Sequence, residues 1–428
     1  MVEGRSGKGV DPAQHREVIA VISILVAGSA ISWLRLPALG RNTLWAEDGT
    51  PFISDWLSDP SWTVLFRPYA GYQHLLPRIA SGLVTLLPVD AWADAATIAA
   101  CVLAGCVAAL CFVATRTLVP DIWARLGIAA VPVFAPMLAI EAIANLANVH
   151  WYLLYLMAWL FFVKPRSKCT AVAWSIVSAA SCLTEIQCLI FAPLAGWLLL
   201  KGTRSRAAAI GWVIGIGIQA ITFLSQGRRR SAGLPPADST VKGYLFNVVW
   251  GSFNGYAKPA QWIAAYIGWG LFAFMFATVV IAAGAAACLG SRQLRLALLT
   301  VLLASIGTWC LSYVYNNEST VAYADPPFLL VRWGTGGAML LASIFPLLAG
   351  ALAEHQPRWR RFSLLMVICM VAVMLLSFSH SNEGRQAPKW AIAVAAARAT
   401  CSVNPSASVE VPITPEGWSV LVHCSRIG

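Results

Sequence analysis

The amino-acid sequence predicts an all-α polytopic integral membrane protein with about 11 transmembrane helices. Three observations carry this. Of 428 residues, 58% are hydrophobic and 11% charged, whereas an ordinary soluble domain is roughly 25% charged. Apolar stretches near the roughly 20 residues of a spanning helix recur from end to end. The net charge of +11 lies in a set of short loops. A soluble enzyme, a disordered chain and a disulfide-stapled secreted module are thereby excluded.

The spans are read at 18–36, 92–115, 126–144, 149–163, 170–184, 187–200, 207–224, 262–283, 294–314, 329–350 and 362–380. The loops at 116–125, 164–169, 201–206, 291–295 and 354–361, with the N-terminal tail, hold 16 basic and 5 acidic residues. The remaining segments hold 14 of each, so the whole basic excess falls on one side. The positive-inside rule makes that side cytoplasmic. Such scattered short loops argue against a nucleic-acid surface, so no nucleic-acid partner is expected. Residues 170–200 are too few for two full crossings, yet Lys168 and Lys201 flank them. The reading is a short hairpin or re-entrant pair with its tip near Leu183-Thr184-Glu185-Ile186-Gln187. A basic tail and a first apolar stretch without a small-residue cleavage site suggest an uncleaved anchor.

An odd number of spans sends the C-terminus to the extracytoplasmic side. Residues 1–380 form the transmembrane domain, with long outside loops at 37–91 and 225–261, and residues 381–428 form an outside tail. Val409–Ile413 and Trp418–Val422 flank the turn Thr414-Pro415-Glu416-Gly417, which gives the tail β-hairpin character. Its two cysteines, Cys401 and Cys424, could close one bridge in an oxidising exterior. The other nine cysteines lie in or beside apolar runs without metal-ligand spacing and read as small hydrophobes.

The candidate chemistry lies on the outside face. Glu47-Asp48 follows the first span by about ten residues, before the turn formers Gly49 and Pro51. Adjacent carboxylates suit a general base, or could hold a divalent cation such as magnesium or manganese. Arg67, Tyr72, His74 and Arg78 crowd one Gly/Pro-punctuated stretch, where an Arg could bind phosphate or anchor a headgroup. Asn148, His150 and Trp151 sit where the third span hands over to the fourth and could line a sugar pocket. Glu185 is a charge within apolar sequence, which costs roughly 2.5–3.5 kcal/mol on insertion scales and so points to a cavity or a role. Arg228-Arg229-Arg230 is an outside basic cluster, and Arg332 starts the tenth span with a fork suited to phosphate. No Walker loop, dinucleotide fingerprint, HExxH or nucleophile elbow is present.

This layout resembles the GT-C superfamily of multi-span glycosyltransferases, which use lipid-phosphate sugars. The resemblance rests on the acidic pair Glu47-Asp48 early in a long first outside loop, the Trp-Ala-Glu-Asp-Gly stretch, Gly71–Arg78, Asn148-x-His150-Trp151 and the Arg332 region. These look like an uncharacterised bacterial branch. Two departures are the Arg-Trp at 332–333, where Arg-Tyr is expected, and a tail short for the class. The resemblance implies a bacterial plasma-membrane enzyme with a cytoplasmic N-terminus. It implies a polyprenyl-phosphate-linked sugar donor with its chain among membrane lipid, and a cell-envelope glycan, glycolipid or protein acceptor. Arg332, with Arg67 or Arg78, would hold the donor phosphate. Asp48 or Glu47 would take the acceptor proton in an inverting attack, and Tyr72, His74, Asn148, His150, Trp151 and Glu185 would line the pocket. The competing expectation is a transporter or flippase of lipid-linked sugars without covalent chemistry, its substrate site at Glu185.

Overall fold

The computed structural model describes residues 12–139, 141–202, 206–227, 235–316, 331–379 and 388–427. The Arg228-Arg229-Arg230 cluster lies outside them. The described residues are 77% helical. Among the described residues seven helices are long and apolar enough to cross a membrane: His15–Arg35, Val89–Thr117, Ile122–Ala139, Arg206–Gln226, Gly270–Leu289, Arg292–Tyr315 and Arg332–His355. The other four expected spans form shorter helices. Their lengths are 12 residues in α5 (Val149–Leu160), 15 in α6 (Lys168–Cys182), 10 in α7 (Ala192–Lys201) and 16 in α14 (Arg360–Leu375). At 1.5 Å per residue, α5 is about 18 Å long. Eleven of its twelve residues are buried, so it is a core rod.

Local chemistry explains the differences from the expected boundaries. The third span, read as 126–144, is the helix α4 (Ile122–Phe134) followed by a tight turn at Pro136–Ala139. Ala135 precedes Pro136, whose ring disfavours a helical residue before it. Residues 141–148 are therefore a loop. The eighth, read as 262–283, is two helices, α9 (Ala257–Tyr266) and α10 (Gly270–Leu289). Gly268 breaks them at φ 91°, where a side chain would be strained.

The helix α8 (Arg206–Gln226) shows how the 170–200 region folds. A Cβ on Gly211 would lie 2.0 Å from the Ser175 carbonyl, and one on Gly215 would lie 2.5 Å from the Cys182 Cβ. Farther along, Gln219 donates to the Cys182 carbonyl at 2.9 Å. Contacts advance in the same direction on both helices, so α6 and α8 run parallel at a small-residue crossing. The chain between them must return, and does so through Ile186–Lys201.

Loops gather at two ends of the bundle. At one, Glu17 pairs with Arg116 and Arg125, Lys164 bonds Gln293, and Asp121 binds Ser363 and Arg360. At the other end, Arg35 terminates α1 (Pro12–Arg35), fully buried. It donates to the carbonyls of Val133, Ala135 and Phe378, tying α1 to the ends of α4 and α14. The tail packs at this second end as α15 (Trp390–Val403) and an antiparallel pair, β1 (Ser408–Ile413) and β2 (Trp418–His423). The register pairs Ser408 with His423 and Ile413 with Trp418. Cys401 and Cys424 form a disulfide across 23 residues.

Candidate functional site

Glu47 and Asp48 are adjacent but do different things. Asp48 is 2% exposed, and its two oxygens accept the backbone N–H groups of Leu146 at 2.9 Å and Ala147 at 2.7 Å. It clasps the loop that the Pro136 turn releases. That loop is also held from within. Asn145 Oδ1 accepts the backbone N–H of Asn148 at 2.9 Å and its side-chain N–H at 2.8 Å, and Ala144 sits at φ 58°. An alanine in the left-handed region is strained and persists only where its surroundings enforce it.

Glu47 instead meets Arg332, whose Nη1 lies 3.4 Å from Glu47 Oε1. The Arg332 Nε donates to Glu141, at the start of the clasped loop. One guanidinium thus bridges two carboxylates, and half of its side chain stays exposed. Glu47 Oε2 is buried without a hydrogen-bond partner among the described residues.

The tail supports this acidic turn from behind. The Ala46 N–H donates to the Thr414 carbonyl at 2.6 Å, and the Thr414 N–H donates to Leu44 at 2.9 Å. Gly49 lies against the hairpin so closely that a Cβ would meet Ile413 at 2.4 Å and Val420 at 2.6 Å. Trp45, Ala46, Phe52 and Ala147 pack together with Tyr69 and Trp418 beside them.

An aromatic wall continues from Phe52. Tyr69 and Tyr72 exchange backbone hydrogen bonds around Ala70 and Gly71, both at positive φ, in a tight two-residue turn. This stacks Tyr72 on His74 at 4.2 Å, with Phe52 and Tyr69 at 5.4 and 5.6 Å from the same ring. The next residues dock on α8 and on the hairpin tip. Gln73 exchanges hydrogen bonds with Gln219, the Leu75 N–H donates to the Leu183 carbonyl, and the Leu76 N–H to Thr184 Oγ1.

At that tip the side chain of Glu185 is 1% exposed. Its Oε2 pairs with His150 Nδ1, and its Oε1 accepts the Gln187 N–H at 2.7 Å. His150 stands on the first turn of α5, its ring 4.2 Å from that of Trp151. The pairing through Nδ1 leaves Nε2 as the ring's second polar atom. The clasped loop runs directly into this turn, so Asp48 positions the His150–Glu185 pair as well as Glu141.

Arg67 and Arg78 are engaged elsewhere. Arg67 pairs with Asp55 at 2.9 Å and Asp59 at 2.8 Å, and Asp55 holds its guanidinium above the ordinary range. Arg78 is fully buried, 2.8 Å from the other Asp55 oxygen and over the Phe52 ring. Burial lowers its proton affinity, and Asp55 opposes this. Both cations have carboxylate partners inside the first loop, and Arg78 Nε and Nη2 are buried without a hydrogen-bond partner among the described residues. The sequence reading did not single out Asp55, Gln187 or the support from the tail. Asp55 carries no signal beyond its charge, because its partners lie 12 and 23 residues on.

The donor set does not suit a divalent cation. Among the described residues no group of three His, Cys, Asp or Glu side chains converges. Asp48 spends both oxygens on backbone N–H groups, and Arg332 already lies between Glu47 and Glu141.

The chain matches no protein-family model, no curated protein and no solved structure. What bears on function is the site itself. It joins a carboxylate with a buried free oxygen, an exposed Arg bridging two acids, a buried His–Glu pair and an aromatic wall, all at one end of an apolar helical bundle. Such a site can accept a proton, hold an anionic group and stack on a ring.

Proposed function

We propose that the protein is a GT-C-type glycosyltransferase of a bacterial plasma membrane. It moves a sugar from a polyprenyl-phosphate donor to a cell-envelope acceptor at the outer face. The observation that carries this reading is the junction of Glu47, Glu141 and Arg332 with the His150–Glu185 pair through the loop that Asp48 clasps. Eleven crossings accompany it, with α6 and the return through α7 as a short hairpin and the basic loops cytoplasmic. The parallel course of α6 and α8 supports that count.

The donor's prenyl chain lies in the bilayer and its phosphate at the acidic end. Arg332 exchanges a carboxylate for the phosphate and stabilises the charge that develops as it leaves. Glu47 accepts the proton of the acceptor hydroxyl, whose oxygen attacks the anomeric carbon in line, with inversion. Asp48 positions rather than reacts, since both its oxygens are committed. The test is release of free polyprenyl phosphate from a panel of polyprenyl-phosphate sugars by purified protein in lipid, with a membrane extract as acceptor. Release by the wild type and its loss in Glu47→Gln and Arg332→Ala are expected. Wild-type rates in both variants would remove these assignments.

The break at Glu185 between α6 and α7 favours one second reading, a carrier of lipid-linked sugars with its substrate at a broken helix. Movement of intact donor between leaflets without covalent transfer would select it.

A further inference from the structure

Two short helices at the site end of the bundle carry their polarity the wrong way round for water. The first is Leu75–Val84, which starts where the Leu75 N–H meets the Leu183 carbonyl. Its polar residues Arg78 and Ser81 are buried, whereas Ile79 and Leu83 are exposed, Leu83 at 62%. Leu86, at 79%, and Leu87 continue the exposed stripe in the turn that follows. Positions 79, 83 and 86 recur at helical spacing and form one face. No ionisable group lies on it, because Arg78 is the helix's only one and pairs with Asp55 inside.

The second is α9. It starts where the Gly255 N–H donates to Ser377 Oγ and Tyr256 to the Ser379 carbonyl, beside the carbonyls that hold Arg35. Within α9 only Ala260 is buried. The rings of Trp262 and Tyr266 are exposed and 5.5 Å apart. Lys258, one turn earlier, is exposed on the same face.

Both helices have ten residues. A helix shorter than about 12 residues is marginal in water unless an apolar face is packed, yet these two turn apolar side chains outward. Each is followed by one break, Pro88 or Gly268, and then by a helix long enough to span, Val89–Thr117 or Gly270–Leu289. The exposed faces thus adjoin the points where spans enter the bilayer, and lipid is already there to cover them. The side chains suit that depth. Aromatic rings settle between water and hydrocarbon, and an ammonium on a flexible stem reaches lipid phosphate.

We propose that the helix Leu75–Val84 and α9 lie in the membrane interface, with their exposed faces seated among lipid headgroups and upper acyl chains. This rests on the membrane-spanning reading of the bundle and does not depend on sugar transfer. Its consequence for the site is positional. Trp56 donates to the Arg78 carbonyl at 2.8 Å, a Cβ on Gly82 would lie 2.8 Å from the Trp56 ring, and Asp55 pairs with Arg78. The segment that follows Glu47-Asp48 is therefore fastened to an interfacial helix, which holds the acidic turn near the depth of a lipid-linked phosphate.

The test uses the full chain in vesicles of phosphatidylethanolamine and phosphatidylglycerol, with no polyprenyl lipid. A photoreactive p-benzoylphenylalanine replaces Leu83 or Tyr266, and, as controls, Phe274 within α10 or the exposed Glu410 of the hairpin. Irradiation is followed by mass spectrometry of the labelled peptides. Lipid adducts are expected at 83, 266 and 274, and none at 410. Lipid at 274 without lipid at 83 and 266 would overturn the proposal and leave the spans standing. Covalent dimers in place of lipid at 83 and 266 would assign the faces to a second copy and overturn it. Lipid at 410 equal to that at 83 and 266 would overturn it as well. Absence of lipid at 274 too would remove the membrane-spanning reading itself.

Discussion

The two carboxylates of the acidic turn are neighbours in sequence and opposites in role. An Asn at position 48 would set an amide N–H against a backbone N–H that now meets an oxygen. Asp48→Asn is therefore expected to destabilise the protein by about 2 kcal/mol, read as a lower thermal midpoint in detergent. Glu47→Gln keeps the turn, because Glu47 makes no backbone bond, and should instead cut transfer by at least about 100-fold at an unchanged midpoint. Equal effects of the two variants on stability would contradict this division. Asp55 offers a third case. Removing it leaves the fully buried Arg78 guanidinium without its counterion, so Asp55→Asn should cost about 3 kcal/mol in the same unfolding measurement. At this scale the sequence was informative about which residue types gather at one end of the bundle, including Arg332, His150 and Glu185. It was silent on which carboxylate of the pair is free. That depends on two backbone N–H groups 98 and 99 residues away. That Arg67 and Arg78 share Asp55 was not legible, because Asp55 carries no periodicity to connect it with them.

Among the elements, the tail is the least expected participant. Its hairpin was legible from alternating residues around Thr414–Gly417, but nothing in that pattern says what the hairpin packs on. Its edge bonds reach Leu44 and Ala46, within three residues of Glu47. A disulfide closing 23 residues stabilises by about 3 kcal/mol in the chain-entropy account. Cys401→Ser with Cys424→Ser should therefore loosen the tail and lower transfer severalfold while α1 and the other long helices remain. Limited proteolysis after Val403 reports the first effect, and the transfer assay reports the second. The hairpin α6–α7 was inferred from Lys168 and Lys201 and from too few residues for two full crossings. The structure adds the Gly211–Gly215 face on which α6 rests. Gly211→Leu cannot be accommodated at that contact and should separate α6 from α8, seen as a lower thermal midpoint in detergent. Boundaries failed where apolarity continued through a break. Pro136 and Gly268 interrupt helices inside runs that remain hydrophobic, so composition alone reads through them.

For the whole molecule, two ends and an apolar waist organise everything else. Basic loops meet at one end through Glu17, Asp121 and Lys164, and the acidic turn, the hairpin tip and the disulfide-bonded tail meet at the other. In the proposed orientation the exposed Cys169, at the start of α6, faces the cytoplasm. It should resist a membrane-impermeant maleimide in intact cells and react in inverted vesicles. Labelling from outside would reverse the topology and remove the outer-face site. The most direct measurement of the central claim uses proteoliposomes with a donor labelled separately in its sugar and its prenyl chain, and follows both labels. The account predicts that the sugar label becomes covalently attached to acceptor while the prenyl label appears as free polyprenyl phosphate, and that both changes vanish in Glu47→Gln. Both labels remaining together on a donor that has only changed leaflets would contradict it.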